Sequence, residues 1–307
     1  MISPVTSPTP LEPAPETIAA GRALYLKRED SNELGAFKWR GALPVLEEYR
    51  VRGARGVVTA STGNHGAATA WAAARLGLSA TVFVPRGASR AKVDRIASLG
   101  ADLRESGSDF DAAKENARAF AQERGLPFFE DGDEPAQYEG YGSIAKEILE
   151  QCPSAPGAVV VPVGNGALIG GIGEVLRRRA PDTRLVGALA REAPVMELSW
   201  RAGNAVECNR MATFADGIAV RVAIPRAVEV LRRVVDRMEA VSEREIARAV
   251  GLYAAAGIRA EGAAAAALAV APRLADVRGP IVLLVTGGNI DEALRRRAVD
   301  LPDSFPS

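Results

Sequence analysis

Lys38 lies in surroundings that suggest chemistry in this chain of 307 residues. It lies between the aromatic residues Phe37 and Trp39 and follows the small residues Gly35 and Ala36. Most lysines lie on hydrated surfaces, but burial disfavours the ammonium form and lowers the pKa of an amine. A neutral amine is the form that attacks an aldehyde to give an imine. Lys38 is therefore a candidate for covalent catalysis.

A second candidate segment, residues 60–66, reads ASTGNHG and lies between an apolar run and an Ala-rich run. Its hydroxyls (Ser61 and Thr62), the amide of Asn64 and the backbone N–H groups of a helix N-terminus suit a carboxylate or a phosphate. His65 is the only histidine of the chain, so a mechanism that needs two histidines is excluded. His65 is either a proton-transfer group or a hydrogen-bonded residue at the start of the helix.

A third segment, Gly164–Gly171, reads GNGALIGG between a strand-like run and a helix-like run. Small residues let the backbone approach an anion closely, and the helix dipole favours the negative charge. The glycine spacing does not fit the G-x-G-x-x-G fingerprint, and the Gly-Lys-Ser/Thr of a nucleotide P-loop is missing. The segment is either an anion-binding turn or a tight turn that packs a helix on a sheet.

A fourth segment, Thr286–Asn289, reads TGGN and follows the apolar run Leu283–Val285. Parallel α/β sheets bind ligands at the carboxyl ends of their strands. The turn therefore places the Thr286 hydroxyl where a ligand is expected, although turns of this composition are common.

Short apolar runs alternate with amphipathic runs along the chain, which predicts a wound parallel α/β fold. Several of the apolar runs lack polar alternation, as strands buried on both faces require. The predicted strands are 23–27, 56–60, 80–84, 158–163, 184–189 and 280–285. The predicted helices are 65–76, 90–99, 109–124, 141–150, 168–179, 243–256 and 261–270.

The composition excludes several classes of protein. The 38 basic and 38 acidic residues cancel, so a nucleic-acid partner is not expected. No apolar run approaches the ~20 residues of a transmembrane helix, and the N-terminal sequence has no secretory pattern. Two cysteines, Cys152 and Cys208, do not form a disulfide framework, which fits a cytoplasmic protein.

Together and in this order, the four segments resemble the pyridoxal-phosphate enzymes of the tryptophan-synthase-β fold type (fold type II). The likeness is greatest to the serine/threonine dehydratase family. The lysine motif is Lys27–Ala42, the Ser-x-Gly-Asn-His loop is Ser61–His65, and the glycine-rich loop ending in Leu is Gly164–Leu168. Further family-like stretches are Thr9–Leu11, Ala215–Val220, Glu261–Ala263 and Thr286–Asn289, so that the resemblance spans about residues 7–292.

The resemblance implies a role for each of these residues. Lys38 would hold pyridoxal 5'-phosphate covalently as a Schiff base, with Phe37 packed against the coenzyme. Asn64 would bind the ring hydroxyl and Thr286 the pyridine nitrogen. Backbone N–H groups would hold the phosphate, from Gly164, Asn165, Gly166, Ala167 and Leu168. The substrate carboxylate would be bound by Ser61, Thr62, Asn64 and His65.

The implied activity is that of a lyase. A hydroxyl such as that of Thr286 does not hold a full proton on the ring nitrogen as a carboxylate would, so the ring withdraws electrons less strongly. That property suits the loss of a β-substituent. Lys38 would remove the α-proton of a β-hydroxy amino acid such as L-threonine or L-serine. The β-hydroxyl would leave, and the products would be a 2-oxo acid and ammonia.

The chain departs from the family pattern at several positions. Thr62 stands where dehydratases usually carry Ala and serine racemases carry Ser, and a second hydroxyl acting on the opposite face would allow racemisation. Asn165 and Ala167 interrupt the usual glycines, and Asn165 is similar to the residue of threonine synthases. At the position of the family's metal-ligand Glu, the register places Leu189, so that no metal site is expected; Glu192 is the alternative ligand.

The resemblance implies two wound α/β domains with the coenzyme between them. The smaller domain is expected at residues 36–140, and the larger joins residues 1–35 to 141–307. A homodimer is implied as well, with an amino acid as the small-molecule substrate. The alternatives are β- or γ-replacement as in threonine synthase, an amino-acid racemase, a nicotinamide-dependent oxidoreductase that uses Gly164–Gly171, and a non-catalytic protein that senses the coenzyme.

Overall fold

The structure is a computed structural model that describes residues 8–307; the first seven residues of the expected larger domain lie outside this range. The described chain divides into two compact units. The larger unit contains the described residues up to Phe37 together with Tyr141–Ser307, and the smaller unit contains Lys38–Gly140. Within residues 8–307, none of the helices is long and apolar enough to span a bilayer.

The larger unit contains a six-stranded sheet in the order β1-β2-β9-β6-β7-β8. The strands are β1 (Leu11–Pro13), β2 (Leu24–Arg28), β6 (Ala158–Pro162), β7 (Arg184–Ala190), β8 (Arg237–Val241) and β9 (Ile281–Val285). Only the short edge strand β1 is antiparallel to its neighbour; the other pairs are parallel. Strands β6 and β9 are buried at every residue, as expected for apolar strands covered by helices on both faces.

The larger unit also contains several helices. They are α1 (Glu16–Ala19), α7 (Ala167–Arg179), α8 (Val195–Ala202), α9 (Pro225–Val234), α10 (Glu243–Ala255), α11 (Gly262–Val270) and α12 (Glu292–Asp300). Short 3₁₀ turns cover Asp216–Ile218, Ala271–Leu274 and Pro302–Ser304. The Ala-rich helix α11 packs against both the sheet and α10, since its small side chains allow close approach.

The smaller unit contains a parallel three-stranded sheet in the order β3-β4-β5. Its strands are β3 (Gly56–Ala60), β4 (Ser79–Val84) and β5 (Asp102–Glu105), and its helices are α2 (Trp39–Val51), α3 (Asn64–Leu76), α4 (Arg90–Ser98) and α5 (Phe110–Arg124). Helix α6 (Pro135–Gln151) begins in this unit and ends in the larger one. Phe128 forms a single parallel bridge with Val58 of β3, which holds the segment before α6 against the sheet.

Local signals in the sequence set several of these helix ends. Ser242 and Glu245 form a reciprocal capping box at the start of α10. The Asp109 side chain accepts a hydrogen bond from the Ala112 N–H at the start of α5.

The six predicted strands are confirmed with ends that agree within one residue. Strands β1, β5 and β8 were not predicted, because they are short or polar; β5 reads DLRE and is largely exposed. Helix α2 was not predicted either, since Gly41 and Pro44 interrupt its pattern. Helices α1, α8, α9 and α12 were also not predicted. Helix α6 begins at Pro135, six residues before the predicted start at Tyr141.

Candidate active site

The segment that leads to Lys38 is fastened to the turn after β9. The Phe37 N–H donates to the Thr286 carbonyl oxygen at 3.0 Å, and Ala36 forms an antiparallel bridge with Gly287. A side chain at Gly287 would place its Cβ 3.0 Å from the Gly35 carbonyl oxygen, so this close approach requires glycine. The part of the lysine motif that ends at Phe37 therefore lies beside the TGGN motif within the larger unit.

Asn289 completes this fastening. Its Nδ2 donates to the carbonyl oxygens of Leu34, at 3.0 Å, and Gly35, at 3.2 Å, and the Gly288 N–H also donates to Gly35, at 3.0 Å. Phe37 itself is buried and packs on Tyr141, with ring centroids 5.1 Å apart. These contacts fix the backbone immediately before Lys38.

Lys38 caps helix α2 in the smaller unit, and its side chain is 15% exposed. Its Nζ lies 2.5 Å from Oδ2 of Asp131, so the two side chains form an ion pair. The aromatic neighbours in sequence are both buried. The carboxylate partner of the lysine, 93 positions away in the chain, was not predicted from the sequence.

Asp131 is held in a fixed orientation by Gln137 in the first turns of α6. The Gln137 Nε2 donates to Asp131 Oδ1 at 2.7 Å, and Gln137 Oε1 accepts from the Gly132 N–H at 2.7 Å. Burial alone would raise the pKa of Asp131, but the positive charge of Lys38, the facing His65 and the hydrogen bonds lower it well below its usual range. Asp131 is therefore an ionised carboxylate at neutral pH.

His65 lies in the first turn of α3 and is 5% exposed. Its Nε2 lies 3.0 Å from Thr59 Oγ1 and 3.4 Å from the Phe129 carbonyl oxygen, and its Nδ1 lies 3.6 Å from Asp131 Oδ1. Burial lowers the pKa of His65 below its ordinary value, although the charge of Asp131 opposes this shift. His65 is therefore neutral at neutral pH and is hydrogen-bonded at the start of the helix.

The segment Ser61–Asn64 joins β3 to α3, as predicted, with Asn64 as the first residue of the helix. Its residues are half-buried, and Ser61 Oγ accepts a hydrogen bond from the Gly63 N–H at 3.1 Å. A Cβ at Gly66 would lie 2.8 Å from the Ser61 carbonyl oxygen, so the loop is pressed against the first turn of the helix. The N-terminus of a helix, with its dipole and its first N–H groups, suits an anion at this position.

The glycine-rich loop lies in the larger unit between β6 and α7. Gly166 caps α7 with φ of +93°, a conformation that favours glycine. A Cβ at Gly164 would lie 2.9 Å from the Gly217 carbonyl oxygen. Asn165 departs from the family's glycines, and its Oδ1 accepts from the Ala167 N–H at 3.1 Å. The side chain of Asn165 therefore occupies one of the N–H groups that the resemblance assigns to phosphate.

Thr286 is 2% exposed, and its Oγ1 lies 3.4 Å from Oε1 of Glu261. Glu261 is also buried and caps α11, and its N–H donates to the Gly287 carbonyl oxygen at 2.9 Å. The sequence reasoning gave a role to Thr286 but none to Glu261. The run Glu261–Ala263, already similar to the family, was the signal that could have identified this residue.

Each unit carries groups that suit a particular chemical function of a ligand, a phosphate ester and a ring nitrogen in the larger unit and an aldehyde in the smaller one. The first turn of α7, with small residues on its approach, suits the phosphate dianion. The Lys38 amine suits the aldehyde, and the buried Thr286 hydroxyl can bond a ring nitrogen. Phe37, Gly164–Leu168 and Thr286 lie in the larger unit, whereas Lys38 and Ser61–His65 lie in the smaller unit.

Comparisons with known proteins agree with this chemistry. The sequence model of the family described as "Pyridoxal-phosphate dependent enzyme" matches residues 2–287. An L-threonine ammonia-lyase of Thermotoga maritima is 37% identical over 286 residues, which are 91% of this chain and 70% of that protein. The match to this family excludes the nicotinamide-dependent oxidoreductase, because the coenzyme of the family is pyridoxal phosphate.

Solved structures give the same result. The processed form of threonine deaminase isoform 2 from Solanum lycopersicum superposes with a TM-score of 0.91 at 30% identity, covering 96% of this chain and 88% of that one. Maize serine racemase superposes with a TM-score of 0.87 at 26% identity, covering 96% and 92%. The chain therefore belongs to the serine/threonine dehydratase family of pyridoxal-phosphate-dependent enzymes and has their fold type II architecture.

Proposed function

We propose that this protein is an ammonia-lyase that removes water from L-threonine or L-serine and releases a 2-oxo acid and ammonia. The observation that carries the proposal is the hydrogen bond between Phe37 and the Thr286 carbonyl. It places the residue before the candidate base directly beside a strand end that carries a buried hydroxyl. The 37% identity with an L-threonine ammonia-lyase supports the same activity.

Each candidate residue has a defined task in this reaction. Pyridoxal phosphate, when bound, supplies an aldehyde carbon for covalent capture of an amino group and a ring that withdraws electrons. Lys38 would hold the coenzyme covalently, and its Nζ would take the α-proton of the substrate. Phe37 packs beside the coenzyme.

The remaining residues bind and orient. The backbone N–H groups of Gly164, Asn165, Gly166 and Leu168 would bind the phosphate, since that of Ala167 is taken by Asn165 Oδ1. Asn64 would bind the ring hydroxyl, and the Thr286 hydroxyl would bond the ring nitrogen. The loop Ser61–His65 binds the substrate carboxylate at the N-terminus of α3, where the helix dipole favours a negative charge.

Racemisation is the second candidate activity. Two observations favour racemisation. Thr62 is half-buried and follows Ser61, which accepts the Gly63 N–H, and the chain superposes on maize serine racemase. A Thr62 hydroxyl that returns a proton to the face opposite Lys38 would invert the α-carbon.

The test is an assay of the purified holoenzyme with L-threonine, L-serine and their D-enantiomers. We expect stoichiometric 2-oxo acid and ammonia from at least one L-amino acid, and no product from Lys38→Ala. Lys146→Ala, which changes an exposed lysine, serves as the matched control and retains activity. Appearance of the opposite enantiomer without ammonia would establish the racemase instead, and consumption of a second nucleophile would establish a replacement reaction.

We also propose that the protein is a cytoplasmic homodimer. The free thiols of Cys152 and Cys208, both half-buried, support a reducing compartment. The family resemblance supports the dimer. Light scattering on the eluting protein is expected to give twice the mass of the chain, and a monomer mass would contradict the dimer; fractionation of the source cells tests the compartment.

A further inference from the structure

Three side chains from separate segments of the smaller unit form one charged cluster. Lys38 stands at the start of α2, His65 in the first turn of α3, and Asp131 between the Phe128 bridge and α6. Asp131 lies between the other two, with Oδ2 2.5 Å from Lys38 Nζ and Oδ1 3.6 Å from His65 Nδ1. One carboxylate therefore faces two groups that can each carry a positive charge.

The hydrogen bonds of His65 decide which ring nitrogen is open to a proton. The Phe129 carbonyl can only accept, and the Thr59 hydroxyl already donates to that carbonyl at 2.9 Å. With the Thr59 proton on that carbonyl, the Thr59 oxygen accepts, which assigns the N–H of the neutral ring to His65 Nε2. In the neutral ring the lone pair is on Nδ1, and a second proton would bind there, on the side that faces Asp131.

The Asp131 carboxylate is kept in this bridging position by Gln137, which is fully buried. Gln137 uses its other end to hold the Gly132 N–H. Gln137 fixes Asp131 Oδ1 on the side of His65. The carboxylate therefore does not rotate to place both oxygens at Lys38.

We propose that Asp131 is a shared counter-ion, so that the positive charge of this cluster alternates between Lys38 and His65 as the reaction proceeds. The proposal rests on the proposed role of Lys38. When Lys38 is bonded to the coenzyme or released as a neutral amine, Asp131 loses the Lys38 charge, and His65 Nδ1 takes a proton from solvent. When Lys38 takes the α-proton, the resulting Lys38 ammonium pairs with Asp131. His65 then returns to solvent the proton that it had taken up on Nδ1.

This arrangement assists the chemical step through Lys38, so that Asp131 is a positioning residue. The Asp131 side chain is only 26% exposed. A partly shielded carboxylate is destabilising unless a positive charge compensates it, and the alternation keeps one such charge beside Asp131 in both states. Among the charged groups that act on the His65 ring, Asp131 and Glu130 favour its protonated form and Lys38 opposes it.

The single histidine gives a direct readout that does not depend on activity. Histidine labelled with ¹³C at Cε1 gives one resonance, whose titration by NMR reports the protonation of His65. The full-length chain is titrated with the coenzyme bound and again after its removal. In the coenzyme-free chain we expect Lys38→Met to raise the His65 titration midpoint by about 1 unit, the size typical of a neighbouring charge. Asp131→Asn is expected to lower the midpoint in both forms.

Two controls separate charge from structure. Lys38→Arg keeps the charge and is expected to leave the His65 midpoint near that of the unmodified chain. Lys114→Met removes a lysine that pairs with the adjacent Glu130 at 2.5 Å, and a much smaller shift is expected. If Lys38→Met shifts the midpoint no more than Lys114→Met, or if Asp131→Asn does not lower it, the shared counter-ion is refuted.

The kinetics of the holoenzyme provide the second arm. Asp131→Asn is expected to lower kcat at least tenfold with KM changed less than threefold and to shift the pH profile of kcat. A fall of stability alone would leave that profile in place. If Lys38→Met does not fold, the His65 titration midpoint of Asp131→Asn, measured by NMR, still tests the shared counter-ion. Absence of a coenzyme adduct on Lys38 would refute the proposed function instead, while the titration of His65 would stand as measured.

Discussion

The backbone N–H of Phe37 donates to the carbonyl oxygen of Thr286 at 3.0 Å. This bond joins two motifs that are about 250 residues apart in the sequence, the lysine motif and the TGGN turn. Thr286 thus contributes twice: its carbonyl holds the backbone before Lys38, and its buried hydroxyl is available to a ligand. A change of its side chain is therefore expected to alter chemistry more than folding.

Thr286→Val removes the hydroxyl with little change of volume, and kcat is expected to fall about tenfold or more because one hydrogen bond to the coenzyme ring is lost. Thr286→Ser keeps the hydroxyl and is the matched control. Thr286→Asp is expected to be worse than Thr286→Val, since a second carboxyl would lie beside the buried Glu261. Steady-state rates of 2-oxo acid formation check this order; equal rates in all three variants would refute the role of Thr286.

The phosphate loop is tested through Gly166. At φ of +93°, an L-side chain costs about 1–2 kcal/mol, and its Cβ would approach Leu231 Cδ1 to 3.1 Å. Gly166→Ala is expected to weaken binding of pyridoxal phosphate about 5- to 30-fold. The dissociation constant is measured by equilibrium dialysis.

Gly251→Ala provides the control for the previous change. Gly251 lies inside α10 with open space around its Cβ, so alanine is expected to stabilise the chain without changing coenzyme affinity. Unchanged affinity in Gly166→Ala would show that the loop does not hold the phosphate.

A buried ion pair is expected to stabilise the N-terminal part of the larger unit. Lys27 is fully buried, and its Nζ donates to the Thr9 carbonyl at 2.7 Å and to Glu147 Oε2 at 2.6 Å. Lys27→Met is expected to lower the free energy of unfolding by about 3–5 kcal/mol, because it leaves the charge of Glu147 without the lysine. Denaturant titration measures the loss.

The exposed pair of Arg233 with Glu229 gives the comparison for Lys27. Glu229→Ala is expected to change the free energy of unfolding by less than about 1 kcal/mol. A loss in Lys27→Met no larger than this would contradict the account of the buried pair.

The pH dependence of stability is assigned to His65 near neutral pH. Burial lowers the pKa of His65 in the folded chain, so the unfolded chain binds the proton more readily. The stability that His65 contributes is present above its ordinary pKa of about 6.5 and is lost as the pH falls below that value. Because His65 is the only histidine of the chain, no other histidine contributes to the pH dependence of stability in this window.

Thermal unfolding of the coenzyme-free chain between pH 7 and about 5.5 measures this effect. The unfolding midpoint is expected to fall on acidification. His65→Gln, which keeps a donor near Thr59, is expected to show a flatter dependence. A dependence as steep as that of the unmodified chain would mean that another group titrates in this window.

The sequence predicted those parts of the fold that depend on local pattern. The buried strands β3, β6 and β9 are continuous apolar runs, and the loops after them carry the small and polar residues that mark ligand sites. The six predicted strands and the ends of the seven predicted helices, apart from the start of α6, were found in this way to within one residue. The family was identified from the order of the motifs. The edge strand β5 was not predicted because its residues are mostly polar.

The cluster around Lys38 was not predictable from local pattern. Asp131 belongs to the acidic run Glu130–Glu134, which by composition resembles a hydrated loop. Its pairing with Lys38 depends on the fold of the smaller unit, which brings residues 93 positions apart into contact. The flanking aromatic residues indicated a shielded amine, whereas the structure adds a charged partner that only three-dimensional proximity reveals.

The covalent site itself admits one decisive measurement. The purified holoenzyme is reduced with borohydride, digested, and mapped by mass spectrometry for the pyridoxyl group on each of its five lysines. The account predicts the label on Lys38, its persistence in Lys146→Ala and its loss in Lys38→Ala. A label on another lysine, or none on Lys38 in folded and loaded protein, would contradict the assignment.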